Sequence, residues 1–352
     1  MTYKDILSLL LDRQDLPREA MLAAMRALMG GEWTPAQIAG LLVALRMKGE
    51  SITEIAAAAE VMRELSTKVP LAGVDHLVDT CGTGGDGAHT FNISTAAAFV
   101  AAACGAKVAK HGGRSVSSTS GSADVLEALG VNVNLSPAQV ARAVSDIGVG
   151  FMFAPNHHVA MKHAAPVRGV LGVRTMFNML GPLTNPAGAP NQVLGVFNKE
   201  LTGKLARVLH TLGSRHVLAV YAEEGLDELS LASPTYVAEL KDGHVSEYLL
   251  EPGLFGLPRV PASELVVNGV AEAQALLLAA LENSYPAASA IVALNAGAAV
   301  YVAGKADSLQ DGVEQAKQAI ASGAARDKLD DYTRFSVRHP KKALEPQSHR
   351  RH

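Results

Sequence analysis

Two cysteines in 352 residues, Cys81 and Cys104, are too few for a disulfide framework or a thiolate zinc set. A reducing cytoplasm is the simplest fit. Aromatic residues make up 5% of the chain and tryptophan occurs once, so the core has to be built from closely packed Ala, Val, Leu and Ile. Neither sign of charge dominates, since 31 Lys and Arg stand against 34 Asp and Glu. That balance gives no reason to expect a basic nucleic-acid surface, and the 48% hydrophobic content argues against a charge-rich disordered chain. The opening segment carries charges inside its apolar stretch and lacks a small-residue cleavage site, so no secretory signal is expected. The longest apolar tract, Ala287 to Ala303, is interrupted by Asn295 and Gly297 and reads as buried core rather than membrane.

What is present divides the chain in two. Residues 1–72 carry repeated helix-start signals. Thr34-Pro35-Ala36-Gln37 and Ser51-Ile52-Thr53-Glu54 both match the capping box, and Asp15 precedes Pro17 and an Ala/Met/Leu-rich stretch. From residue 73 to 335 short apolar segments alternate with Ala-rich helical ones. Segments around Leu77-Val78, Lys107-Ala109, Val131-Val133, Gly150-Phe153, Val193-Val196 and Val217-Val220 read as strands. Residues 201–212 read as a helix, and 270–325 as helices broken by glycine. The expected fold is α/β: a small all-helical domain plus a larger domain with a mainly parallel central sheet flanked by helices. A later stretch around 165–200 is expected to contribute to the helical part, and the basic segment 339–352 reads as a loose tail.

The chemistry is concentrated at a few places. Asp79-Thr80-Cys81-Gly82-Thr83-Gly84-Gly85-Asp86-Gly87 is a glycine-rich loop directly after a strand, where backbone N–H groups can line an anion site. It satisfies G-x-G-x-x-G, yet the acidic residue that a nicotinamide site needs about 20 positions on is replaced by Lys107 and Lys110. Cations at that distance suit phosphates. Asn92-Ile93-Ser94-Thr95 opens an Ala-rich helix, whose positive end suits a phosphate or a metal bridging one, or where Ser94 simply acts as N-cap.

A second loop runs from Lys110-His111-Gly112-Gly113-Arg114-Ser115 through Val116-Ser117-Ser118 to Ser122 and Asp124. It places cations, hydroxyls and glycines in one turn, which fits a multiply charged anion better than a linker. Asp227 and Glu228 lie between apolar residues, and carboxylates facing phosphate loops imply an intervening Mg²⁺. His157, His158 and His163 lack the spacing of a zinc site. Arg168 is either a bidentate carboxylate clamp or half of a structural ion pair.

Taken together with the run Arg174-Thr175-Met176-Phe177-Asn178-Met179-Leu180-Gly181-Pro182-Leu183-Thr184-Asn185-Pro186, these segments closely resemble the anthranilate phosphoribosyltransferases. The resemblance keeps the same order from the N-terminal helices to about Phe335. It implies transfer of phosphoribose from phosphoribosyl diphosphate to the amine of anthranilate, in tryptophan synthesis, by a Mg²⁺-dependent homodimer joined through the helical part. Gly82, Gly85, Asp86, Thr90, Asn92, Thr95 and Lys110 would contact the donor, with Ser94, Asp227 and Glu228 handling Mg²⁺. The second loop, from His111, Gly112, Gly113 and Arg114 through Ser115, Val116, Ser117 and Ser118 to Ser122, would contact the donor as well. Arg168 would hold the anthranilate carboxylate, with His111, His158, Gly82 and Gly113 along its route. Gly113 stands where the family commonly has Asn, which removes an amide from the acceptor side.

Such chemistry calls for positioning and charge stabilisation rather than a strong base: departing diphosphate is stabilised while the anomeric carbon becomes oxocarbenium-like. The alternatives are a pyrimidine nucleoside phosphorylase and a non-catalytic nucleic-acid-binding relative. The first would lack a use for Arg168 and the acidic pair, and the second would want a basic groove.

Overall fold

The computed structural model describes residues 1–115 and 120–339. Four helices come first, α1 (Tyr3–Leu11), α2 (Arg18–Met29), α3 (Pro35–Lys48) and α4 (Ile52–Leu65). Both expected capping boxes form: Thr34 caps α3 with Gln37 reaching back, and Ser51 caps α4 with Glu54 reaching back. Asp15 does not cap α2, whose N-cap Pro17 has no side-chain bond. It pairs instead with Lys48 at 2.6 Å, and Lys48 in turn meets the fully buried Glu54 at 2.6 Å. Glu54 also accepts from the Leu16 amide at 3.0 Å, so one carboxylate ties α3, α4, the α1–α2 connection and the Ser51 cap together.

The remaining elements are β1 (Leu77–Asp79), α5 (Ile93–Ala103), β2 (Lys107–Gly112), α6 (Ser122–Ala128), α7 (Pro137–Ile147), β3 (Val149–Phe153), α8 (Ala154–His157), α9 (Ala165–Leu171) and α10 (Phe177–Leu180). After them come β4 (Asn191–Gly195), α11 (Glu200–Thr211), β5 (His216–Ala222), β6 (Thr235–Lys241), β7 (His244–Leu250), α12 (Val270–Leu281), α13 (Pro286–Val302), α14 (Leu309–Ala321) and α15 (Ala324–Val337). The sheet order is β3-β2-β1-β4-β5-β6-β7, parallel from β3 to β5 and antiparallel beyond. Val131-Asn132-Val133 is not a strand: its backbone is irregular, and the Asn132 amide donates to Ser336 Oγ rather than to a ladder.

Side-chain alternation places the sheet between two cores. Val193, Leu218, Val220 and Val237 join a core with α5, α12 and α13, whereas Leu194, Val217, Ala219, Ala238 and Leu240 join one with α1–α4 and α11. Ala164, Val167, Phe177 and Leu180 belong to that second core, so the 165–200 stretch packs with the N-terminal helices. The Ala287–Ala303 tract is α13, buried as read from the sequence. It crosses α14 so closely that a Cβ on Gly312 would lie 2.2 Å from the Gly297 carbonyl oxygen. Among the described residues no single helix is long and apolar enough to cross a membrane.

The order reverses at β1, with β2 and β3 on one side and β4 and β5 on the other. Ligands in parallel sheets gather at the carboxyl ends of strands around such a reversal. The glycine loop leaves β1 there, and the Asp227-Glu228 segment follows β5.

Candidate active site

Between β1 and α5 the glycine loop takes the backbone shapes its composition predicts, with φ of 65° at Gly84, 71° at Gly85 and 71° at Gly87. Gly82 serves close approach instead: a Cβ there would sit 3.1 Å from both Asp227 Oδ2 and the Gly195 carbonyl oxygen. The Gly84 amide donates to Asp227 Oδ2 at 3.0 Å, and the Asp227 amide donates to Asp86 Oδ2 at 3.1 Å. Asp86 Oδ1 accepts from the Ala88 amide at 3.0 Å, and Thr90 is held by a bridge to Val266. The loop and the acidic segment are thus laced together across 141 residues of sequence.

Helix α5 points its N-terminus into the same recess. Asn92 is its N-cap position, and Ser94 lies inside the first turn, so the capping reading of Ser94 is corrected. The Asn92 side chain bonds across to Ser120, donating to its carbonyl at 2.9 Å and accepting from its hydroxyl at 2.9 Å, which ties the two loops to each other. Ser94 Oγ accepts from Lys110 Nζ at 3.3 Å. Lys110, on β2 and almost fully buried, also reaches the Thr80 carbonyl at 3.4 Å. Thr95 is buried in the same first turn.

The electrostatics of this recess are those of a site short of positive charge. Burial, with the neighbouring Asp86 carboxylate adding to it, pushes Asp227 up to about 8. Burial and then Asp227 hold Glu228 well above the usual carboxylate range, while Lys110 pulls the other way. Thr80, Gly82, Ser94, Asp227 and Glu228 line one narrow recess. Asp227, Glu228 and Ser94 offer hard oxygen donors, and no cluster of three or more His, Cys, Asp or Glu suited to a metal exists among the described residues. Two carboxylates and a hydroxyl, with remaining positions left for phosphate oxygens and water, match the habits of Mg²⁺.

On the other side of β2 stand the aromatic-acceptor candidates. His111 Nδ1 faces the Gly181 carbonyl at 3.1 Å, and its Nε2 lies 3.2 Å from Nε2 of His158. Burial, then the neighbouring rings, lowers His111 to about 3. Burial, then His157 and Lys68, lowers His158 to about 4. Both rings are therefore neutral near pH 7. Arg168, on α9, is half-buried, lies over the Phe177 ring at 5.5 Å and enters none of the ion pairs among the described residues. That favours the clamp over the structural ion pair.

The second loop is braced rather than open at its described ends. Arg114 pairs with Asp124 at 3.1 Å and Glu127 at 2.7 Å, and its guanidinium lies over the Phe153 ring at 5.2 Å. Asp124 accepts from the Ser115 amide at 3.1 Å and the Gly121 amide at 2.8 Å. Ser122 Oγ donates to the Gly113 carbonyl at 3.4 Å, and a Cβ on Gly112 would lie 2.2 Å from that hydroxyl. At Gly113 a Cβ would meet nothing within 4 Å. Val116, Ser117 and Ser118 lie outside the described residues.

Sequence reasoning passed over three supporting residues. Gly195 ends β4 against Asp227, where a Cβ would fall 1.6 Å from the Asp227 carbonyl oxygen, and its own carbonyl accepts from the Thr83 amide at 2.8 Å. Asp79 and Asn185 meet beneath the loop at 2.7 Å. Asp79 belongs to the glycine-rich run, Asn185 to the Arg174–Pro186 run and Gly195 to a strand, but spacing alone does not show which side chain faces inward. Arg174, which opens the run ending at Pro186, stacks on Phe197 at 4.2 Å and donates to the Gly85 carbonyl.

Comparison with known proteins bears on the same features. Residues 74–326 match the glycosyl transferase family a/b domain, and residues 4–66 match that family's helical bundle domain. The chain is 60% identical over 329 residues to the anthranilate phosphoribosyltransferase of Laribacter hongkongensis, covering 94% of this chain and 96% of that one. The chain belongs to the anthranilate phosphoribosyltransferase family. Among solved members, the enzyme of Thermus thermophilus superposes with a TM-score of 0.89 at 46% identity, covering 95% of this chain and 99% of that one. The Saccharomyces cerevisiae family member, solved in complex with PRPP and Mg, gives a TM-score of 0.85 at 28% identity, covering 96% of this chain and 98% of that one. Membership at this level sets aside both the nucleoside phosphorylase and the nucleic-acid-binding alternatives.

Proposed function

We propose that the protein transfers the phosphoribosyl group of phosphoribosyl diphosphate to the amine of anthranilate, releasing diphosphate, as a Mg²⁺-dependent step in tryptophan synthesis. The observation that carries this reading is the convergence of α5, Lys110 and the Asp227-Glu228 pair on one recess in a chain of this family. Anion and dication have complementary places there, and neither is satisfied by the protein alone.

In this reading the backbone amides of the glycine loop and the Lys110 ammonium bind the diphosphate, and Asp86, Thr90, Asn92 and Thr95 shape its pocket. Asp227, Glu228 and Ser94 hold Mg²⁺, which when bound supplies positive charge to the leaving diphosphate. Arg168 orients the anthranilate carboxylate, while the neutral His111 and His158 rings line the approach without adding a competing charge. The bond made is amine nitrogen to anomeric carbon, and the bond broken is anomeric carbon to diphosphate oxygen. No side chain has to act as a strong base, and placement of the two reactants supplies most of the acceleration.

Two further assignments belong to the same reading. The functional division is a helical unit, 1–72 with help from 165–200, docked on a donor-binding unit, 73–335; the shared core of Val167, Phe177 and Leu180 with α1–α4 supports it. The chain works as a homodimer through the helical part, supported by an apolar groove of about 600 Å³ lined by Trp33, Pro35, Ala39, Pro166, Val167 and Val170. Val170 is 89% exposed and Met47 68%, more apolar surface than a free helical face needs. The two free cysteines suit a cytoplasmic setting. Incubation with Mg²⁺, phosphoribosyl diphosphate and anthranilate, followed by mass spectrometry, should show N-phosphoribosyl anthranilate and lose it when any one component is omitted. Release of thymine from thymidine and phosphate in place of that product would overturn the reading.

A further inference from the structure

Asp79 is a fully buried carboxylate at the last position of β1. A charge so placed is costly, and a hydrophobic residue of similar volume would fill the space at less expense, so its presence asks for a reason. Its hydrogen bonds supply one. Oδ1 accepts from the Cys81 amide at 3.0 Å and the His111 amide at 3.2 Å, and Oδ2 accepts from Asn185 Nδ2 at 2.7 Å.

Each donor opens a different part of the site. Cys81 leads into the glycine loop. His111 directly follows Lys110, and its ring faces the Gly181 carbonyl and His158. Asn185 sits at the far end of the segment that supplies Gly181. Its remaining N–H donates to the Ala109 carbonyl at 2.9 Å, and its Oδ1 accepts from the Ala187 amide at 2.8 Å. Asp79 is 0% and Asn185 7% exposed, so Asp79 cannot touch a substrate and Asn185 is buried with both of its N–H donors already committed. One buried pair therefore fixes the distance between the donor loop, the Lys110-His111 strand end and the acceptor wall.

We propose that Asp79 and Asn185 form a positioning pair that sets the donor subsite in register with the acceptor subsite. The proposal rests on the reading of the site as a phosphoribosyl transfer centre. Its physical basis is that misplacement of reactants by about 1 Å can cost about 10²-fold in rate while each reactant still binds.

The test compares wild type, Asp79→Asn, Asn185→Ser and the swap Asp79→Asn/Asn185→Asp. Turnover is measured at saturating substrates, and affinity for Mg²⁺ with phosphoribosyl diphosphate by calorimetry. In Asp79→Asn two amide groups face each other, and turnover should fall about 30-fold or more while donor affinity stays within about threefold. The swap restores one donor and one acceptor at that contact and should recover about tenfold of the loss, although the Ala109 carbonyl loses its partner. Turnover within about threefold of wild type in Asp79→Asn would overturn the proposal, as would equal losses of turnover and donor affinity, or a swap no better than the single variant. If Asp79→Asn fails to fold, Asn185→Ser decides: a loss of turnover with donor affinity retained supports the pair, and wild-type turnover overturns it. A wild-type protein inactive with both substrates would instead count against the functional reading itself.

Discussion

At the scale of single residues, charge and its absence govern the site. Arg168 has no ion-pair partner among the described residues and lies over Phe177, a guanidinium kept ready for a planar carboxylate. Arg168→Ala should raise the KM for anthranilate about tenfold or more, with a smaller effect on the donor KM, and steady-state kinetics with an unchanged anthranilate KM would remove the clamp. His111 and His158 give a pH signature. Their folded values, about 3 and about 4, lie below the 6.5 of a free imidazole, so between those limits the unfolded chain binds more protons than the folded one. Their contribution is complete above about pH 6.5 and is lost as pH falls toward 4. Melting temperature should therefore drop more steeply from pH 6.5 to 4.5 in wild type than in His158→Gln, and equal slopes would contradict the assignment. Residue chemistry was the most legible part of the sequence, because glycines, Lys110, Arg168 and the acidic pair announce an anion site by type and order. Arg114 shows where that stops: the ion pairs that its guanidinium makes with Asp124 and Glu127 are not legible from the loop's composition. Composition cannot show which way a side chain turns.

Among elements, close approach matters more than composition. The end of β4 packs so tightly against the Asp227 backbone that Gly195→Ala would force a Cβ to 1.6 Å from its carbonyl oxygen. The variant should lose about 2 kcal/mol of stability in urea unfolding and about 10²-fold in turnover, since Asp227 has to move with the strand. Near-wild-type values of both would show that the contact is easily relieved. Most strands were legible as short apolar runs between helical stretches, and the capping boxes at Thr34 and Ser51 marked helix starts correctly. The hairpin of β6 and β7 was not read, although its two-residue turn is Asp242-Gly243, with φ of 52° and 75°, a strong short-range hairpin signal. β7 escaped because it is an exposed edge strand whose His244-to-Leu250 pattern does not alternate in hydrophobicity. Val131-Val133 looked like a strand by β-branching alone, yet it serves as a connection whose Val side chains are buried without a partner strand.

For the whole molecule, the proposed reading assigns donor binding to the recess at the reversal of strand order and self-association to the helical unit. The proposed dimer would form on the helical face, which carries the apolar groove beside Trp33 and the exposed Val170. Sedimentation should find a dimer for wild type and a monomer for Val170→Asp, and a monomeric wild type at micromolar concentration would remove the dimer from the reading. The most direct test of the central claim follows the fluorescence of anthranilate after addition of phosphoribosyl diphosphate and Mg²⁺. Wild type should consume anthranilate steadily, and Asp227→Asn/Glu228→Gln, correctly folded by circular dichroism, should do so about 10²-fold more slowly at any Mg²⁺ concentration. Wild-type protein that leaves the fluorescence unchanged, or a double variant as fast as wild type, would contradict it.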